Sequence, residues 1–218
     1  MKVNAWNNVY QSGQVGSIYE PLWQLTSEAA NHFLEGSVID FGCGDGRYSQ
    51  LLMKKGFDVI GIDLSDKAIF IAEKNVEAKD ANRIRYMIDD DIPFSIKDKS
   101  ISAVVMLNSY HCMDYDKRIQ IISSIDRVLV DNGILFMSAL TVDDESFPRN
   151  SWTEQNHDYY DDGTGKKYQF FCEDQIRQEL NLFSIYSISK LENVVPGIGR
   201  KSSLFIISAY KKERILKD

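Results

Sequence analysis

The chain has little of what staples, anchors or charges a protein for one class of partner. Three of its 218 residues are cysteine: Cys43, Cys112 and Cys172. An odd number, without a CxxC pair or closely spaced Cys and His, argues against a disulfide framework and against a zinc site. It fits a reducing, cytoplasmic setting. No apolar run approaches the ~20 residues needed to span a bilayer. The opening stretch "MKVNAWNNVYQSGQ" lacks the charged start and apolar core of a secretory signal. A basic excess is missing too. There are 25 Lys and Arg against 32 Asp and Glu, a formal net charge of -7. That balance argues against nucleic acid as the main partner, which calls for a basic face. No repeat and no low-complexity tract interrupts the chain, and its length suits one domain with one sizeable core.

What is present is alternation. "SVIDFG", "DVIGIDL", "IRYMID", "SAVVMLN" and "GILFMSAL" are short apolar runs that read as strands covered on both faces. Between them lie segments at helical spacing. "RYSQLLMKKG" stops at Gly56. "SDKAIFIAEKNVEAKD" has Ser65 as N-cap and Asp66 in its first turn. "DKRIQIISSIDRVLVDNG" aligns Ile119, Ile122, Ile125 and Leu129. Strands alternating with helices predict an open α/β sheet, mostly parallel, with helices on both faces. Later, "EDQIRQELNLF" reads as one more helix. "SIYSISKLENV" and "SSLFIISAYKK" are joined only by "VPGIGRK", too short for a crossover, so they predict a C-terminal antiparallel hairpin.

The chemistry concentrates in "VIDFGCGDGRYSQLL", residues 38–52. Gly42, Gly44 and Gly46 fall between a strand and a helix, where an open α/β sheet binds ligands. Glycines let the backbone approach a ligand, and the helix start presents free N–H groups. The spacing is GxGxG, and Arg47 stands where a dinucleotide fingerprint has its third glycine. Asp40, two residues before the first glycine, suits a cationic amine better than a pyrophosphate. Asp63 ends the second strand 17 residues after Gly46, where a carboxylate can accept both hydroxyls of a ribose.

These residues resemble a known family. "VIDFGCGDG" followed by "VIGIDLS" is similar to the first two motifs of the class I S-adenosylmethionine-dependent methyltransferases. "MIDDDIPFSIKDKSISAVVMLNSYHCMD" and "IDRVLVDNGILFMS" resemble their third and fourth, so the likeness runs from Gly36 to Ala139. It implies a Rossmann-like, seven-stranded sheet whose last strand is reversed, and S-adenosylmethionine as cofactor. It also implies residue roles. Asp40 and the backbone of Gly42, Cys43, Gly44 and Gly46 would hold the methionine part. Asp63 would bind the ribose and Leu64 would pack on adenine. Asp89 or Asp90 would face the adenine amino group, because the acid falls one place later than in the family pattern. Asn108 would line the sulfonium end. Tyr110-His111 replaces a double histidine, and Asn132-Gly133 replaces a double glycine.

Methyl transfer by in-line displacement needs positioning more than a dedicated catalytic side chain. His111, after the fourth strand, is the candidate base; its other reading is a wall residue. Asp114 would either orient it or cap the next helix. His157 lies in an insert and either reaches the site or sits on the surface. Cys112 reads as a small buried residue. The arm of residues 1–35 offers Trp6, Tyr10 and Tyr19, with Tyr10 the choice for a cofactor contact. Residues 141–170 interrupt the α/β pattern with acids and with Phe147, Trp152, Tyr159, Tyr160 and Tyr168. They read as a substrate lid, with shape closer to small-molecule and tellurite-resistance-type branches of the family. Their acids would favour a cationic acceptor or be solvated loop charges. The leading expectation is methyl transfer to a small-molecule acceptor. The alternatives are a protein or RNA methyltransferase and a non-catalytic cofactor sensor, with a nicotinamide oxidoreductase behind them.

Overall fold

A computed structural model of the chain describes residues 3–13, 20–195 and 199–212. Tyr19, the middle of the C-terminal hairpin link and the tail from residue 213 lie outside the described residues. The arm forms α1 (Val3–Gln11) and α2 (Glu20–Ala29). Then come β1 (Ser37–Phe41), α3 (Arg47–Lys54), β2 (Asp58–Asp63), α4 (Asp66–Lys74) and β3 (Ile84–Ile88). β4 (Ile101–Met106), α5 (Tyr115–Val128) and β5 (Leu129–Leu140) complete the alternation. An insert carries β6 (Thr153–Asn156), β7 (Tyr159–Asp161) and β8 (Lys167–Gln169). α6 (Glu173–Glu179), β9 (Phe183–Val194) and β10 (Lys201–Lys211) close the described chain.

The main sheet has seven strands in the order β3-β2-β1-β4-β5-β10-β9. β1 to β5 pair in parallel, and β10 runs antiparallel to both β5 and β9. The strand order reverses beside β1, which opens a crevice at the carboxyl ends of β1 and β4. Apolar side chains fill both faces. Ile121, Ile122 and Ile125 of α5 and Ile176 of α6 cover one; Leu22 of α2 and Leu52 of α3 cover the other.

Two local expectations change, and one holds. The helix expected over residues 65–80 stops at Lys74, and Ala78–Asp80 form a separate 3-10 turn. In α5 the buried stripe is Arg118, Ile121, Ile122, Ile125 and Val128, and Ile119 is exposed. The stripe is turned toward the sheet by one residue, because Leu129 already begins β5. Asn132 takes φ +60, the left-handed geometry expected of it, in a bulge where Ile101 pairs with Leu129 and Ala103 with Ile134.

The insert is folded. β6, β7 and β8 make a small antiparallel sheet. Phe147, Trp152 and Phe170 gather around or beside Tyr168, with Phe147 5.1 Å and Trp152 5.3 Å from the Tyr168 ring. A parallel bridge between Thr141 and Phe171 closes the excursion at its base.

Candidate functional site

The glycine loop turns sharply because three residues adopt left-handed geometry: φ is +73 at Gly42, +56 at Gly44 and +79 at Gly46. Close approach adds a second reason. A Cβ on Gly42 would lie 2.5 Å from that of Ser109, and one on Gly44 would strike the Tyr10 hydroxyl. α3 starts immediately after the loop. Asp45 and Arg47 brace its outer side through a two-pronged pair, with distances of 2.8 and 2.6 Å.

Asp63 sits at the centre. Its Oδ2 accepts the Gly44 N–H at 2.9 Å and its Oδ1 accepts the Ser65 N–H at 2.9 Å. Burial pushes its carboxyl above the usual range, against the lowering effect of those N–H groups. An ionised carboxylate offers about four acceptor positions, so two remain for a ligand. Asp40 lies behind the loop, 2% exposed, and accepts the Ser49 hydroxyl at 2.5 Å. Burial pushes its carboxyl up to about 7.

A cavity opens beside these groups. Its walls include Gly42, Asp63, Leu64, Asp89, Asp90 and Asn108. Trp6 and Tyr10 of α1 form its cover. Asn7 anchors that helix: its amide donates to Asp66 at 2.7 Å, and it accepts the Ser65 hydroxyl at 2.6 Å. The enclosed volume is about 80 Å³, below the ~300–1,000 Å³ of typical ligand sites. A bulky ligand must therefore displace part of the cover. Asp89 accepts the Asp91 N–H at 3.0 Å, whereas Asp90 is paired outward with Lys117 at 3.1 Å. Asn108 holds φ +55, and its N–H donates to Ser138 at 2.9 Å.

Other expected residues, Cys112 apart, sit away from the cavity lining. Cys43, Gly44, Gly46 and Asp40 belong to the loop and its support. His111 is 5% exposed, stacked on Tyr168 with ring centroids 6.3 Å apart, and burial holds its imidazole down at about 3. Its Nδ1 has no partner. The candidate base thus stands behind the wall as a neutral, weakly basic group. Asp114 caps α5 by accepting the Lys117 N–H at 3.0 Å and does not orient His111. His157 is exposed and pairs with Asp158 at 2.7 Å. Cys112 is buried, and burial pushes its thiol up to about 12. The insert's acids are engaged locally: Asp144 accepts the Ser203 N–H at 2.7 Å, Asp161 the Gly163 N–H at 2.9 Å, and Asp162 pairs with Lys166 at 3.4 Å. Asp143 is held by Lys190.

Sequence reasoning missed Ser109, Met113 and Phe41 in the wall, Asn7 as the anchor, and Ser49 as the partner of Asp40. Ser109 follows Asn108 directly and lay within reach of the motif. Asn7 and Ser49 depend on contacts between distant segments, which no local pattern encodes. Among the described residues, no helix is long and apolar enough to cross a membrane, and no group of three or more His, Cys, Asp or Glu is placed to hold a metal.

Comparison with known proteins agrees with this geometry. Residues 38–133 match the family model described as "Methyltransferase domain". The human EEF1A lysine methyltransferase 2 is 29% identical over 115 residues, covering 49% of this chain and 48% of that protein. The ubiquinone biosynthesis O-methyltransferase of Nitrosomonas europaea is 27% identical over 142 residues, covering 60% and 58%. The chain thus spans about half the length of these curated relatives. A SAM-dependent methyltransferase structure from Methanosarcina mazei superposes with TM-score 0.70 at 24% identity, covering 84% of this chain and 96% of that one. The Burkholderia thailandensis 1,6-didemethyltoxoflavin-N1-methyltransferase, solved with S-adenosylhomocysteine, does so with TM-score 0.72 at 16% identity, covering 97% and 87%. The glycine cradle and the two unused acceptor positions of Asp63 fit the nucleoside of such a cofactor. Residues 38–133 are thus similar to a methyltransferase domain, and the chain shares the fold of solved S-adenosylmethionine-dependent methyltransferases.

Proposed function

We propose that the protein transfers a methyl group from S-adenosylmethionine to a small-molecule acceptor. The observation that carries the reading is the juxtaposition of the glycine loop, Asp63 and a covered cavity at the carboxyl ends of β1 and β4. Asp63 receives the ribose hydroxyls on its two unused acceptor positions. Leu64 packs on adenine. Asp89, free of the ion pair that occupies Asp90, accepts the adenine amino group. The backbone of Gly42, Cys43, Gly44 and Gly46 passes the methionine portion, and Asp40 ionises to balance its ammonium. Tyr10 and Trp6 exclude water from above. Asn108 forms the wall at the reacting end.

When bound, the cofactor supplies an electrophilic methyl on a sulfonium. The protein contributes alignment and dehydration, which are worth roughly 7–11 kcal/mol in well-oriented reactions. A strong general base is not part of the reading. A histidine held near 3 would add little driving force at neutral pH.

The insert supports the small-molecule class. Residues 141–170 act as the acceptor lid: Tyr168 rests on His111 in the turn that carries Cys112, a cavity residue. Such a folded cover suits an acceptor that enters whole. Its acids are spent on turns and ion pairs, so a cationic acceptor is not favoured. The three free cysteines support a cytoplasmic setting.

The test uses methyl-labelled S-adenosylmethionine, the full chain and a cell extract, with small molecules separated from macromolecules. Label in the small-molecule fraction is expected. Label only in protein or RNA would overturn the acceptor class. Binding without any protein-dependent label would favour a cofactor sensor.

A further inference from the structure

One ionic cluster lies deep in the fold, between the cavity wall and the base of the insert. Arg118 of α5 is 1% exposed and Glu179 of α6 is 5% exposed. Arg118 donates from Nε to Glu179 Oε2 at 2.8 Å and from Nη2 to Oε1 at 2.8 Å. Its remaining arm, Nη1, donates to the Met113 carbonyl at 2.8 Å. Tyr110, fully buried, donates its hydroxyl to Glu179 Oε2 at 2.5 Å. The guanidinium lies 5.0 Å from the ring of Phe171, the residue that closes the insert, and Tyr110 stacks on the same ring at 5.5 Å.

Burial of a charged pair is a poor way to gain stability, since well-packed apolar residues of similar volume serve as well or better. What the cluster supplies is direction. The two-pronged pair fixes the guanidinium plane. The third donor then fixes the backbone at Met113, and the Tyr110 hydroxyl fixes the other end of the same short turn. Cys112, between those two anchors, and Met113 itself line the cavity. Phe171, against the guanidinium, sets where the insert leaves the sheet.

We infer that Arg118 is a positioning residue: with Glu179 it holds the Cys112–Met113 wall and the base of the insert in one fixed relation. The inference rests on the proposed cofactor cavity. Neither side chain lines that cavity, so both act through the turn.

The test replaces the pair by apolar residues, Arg118→Met with Glu179→Leu, in the full chain. Two readouts follow: the calorimetric Kd for S-adenosylhomocysteine, and hydrogen exchange of the Cys112 and Met113 amides, which donate within the turn to Ser109 and Tyr110. The expected result is a melting temperature near that of the wild type, a Kd weakened about tenfold, and exchange of those two amides at least about tenfold faster. A folded variant in which either readout stays at the wild-type level would overturn the inference. If the double variant does not fold, Tyr110→Phe, which removes only one hydroxyl, is read by the same two criteria. Failure of the wild type to bind S-adenosylhomocysteine would count against the cavity reading instead, and amide exchange alone would then decide the role of Arg118.

Discussion

Replacing Asp63 separates its two duties. In the protein as described, its carboxylate already accepts the N–H groups of Gly44 and Ser65, each at 2.9 Å. The ribose hydroxyls would take the two acceptor positions left over. A hydrogen bond to a charged partner contributes about 1.5–3 kcal/mol. Losing two therefore costs about 3–6 kcal/mol of binding, or roughly 10²–10⁴-fold in Kd. Asp63→Ala should show that loss in calorimetry with S-adenosylhomocysteine. Stability should suffer less. The freed N–H groups of the buried Gly44 and Ser65 cost about 1–3 kcal/mol each when left unpaired, and removing a carboxyl that burial disfavours offsets part of that cost. A net loss of about 1–2 kcal/mol corresponds to a drop of roughly 2–8 °C in Tm for a chain of this size. Asp63→Asn keeps the shape but turns one acceptor into a donor facing an N–H, so it should bind nearly as poorly as the alanine variant. A folded Asp63→Ala protein whose Kd lies within about threefold of wild type would refute the ribose assignment.

Asp40 should give the protein a pH signature. Its folded-state carboxyl is raised to about 7 from 3.8, so its stabilising contribution is full below about 4 and is lost as pH rises through about 7. That loss is at most about 4 kcal/mol. Asp40→Asn should therefore lose less stability than wild type in urea titrations between pH 5 and pH 8; equal losses would contradict the burial argument. In the same window, wild-type affinity for S-adenosylhomocysteine should rise with pH, and the Asn variant should show no such rise. Gly44→Ala forces a left-handed alanine at about 1–2 kcal/mol and a clash with Tyr10, so it should weaken binding; Tyr10→Ala should recover part of that loss in a double-mutant cycle, and strict additivity would remove the close approach. Tyr168→Ala opens the centre of the insert's ring cluster at a cost of about 3–5 kcal/mol, on the scale of other large buried aromatics. It should loosen residues 141–170 in hydrogen exchange and lower methyl transfer while S-adenosylhomocysteine binding stays within about threefold of wild type. A weakened Kd with full activity would reverse the assignment of lid and cofactor site.

The alternation of strands and helices was legible because each buried strand is a short unbroken apolar run and two of the helices between them carry a start signal: Ser65 accepts the Ala68 N–H at 3.1 Å and Asp114 the Lys117 N–H at 3.0 Å. The hairpin was legible from its short link. The phase of α5 was not. Its isoleucines at 119, 121, 122 and 125 satisfy two adjacent faces, and only the sheet beneath selects the one that contains Arg118. The insert's strands were hidden for a similar reason: Thr153–Asn156 is wholly exposed and has no apolar alternation, so pairing with β7 alone makes it a strand. At the site, Asp63 and the glycines follow from local spacing. The burial of His111 does not, because it depends on Tyr168, more than fifty residues away in the chain.

A crystal structure of the full chain with S-adenosylhomocysteine tests the central claim most directly. The account predicts the ribose hydroxyls within hydrogen-bond distance of Asp63, adenine against Leu64 with its amino group toward Asp89, and Tyr10 shifted from its place over Gly44. A nucleoside bound elsewhere, or bound in this cleft without touching Asp63, would contradict it.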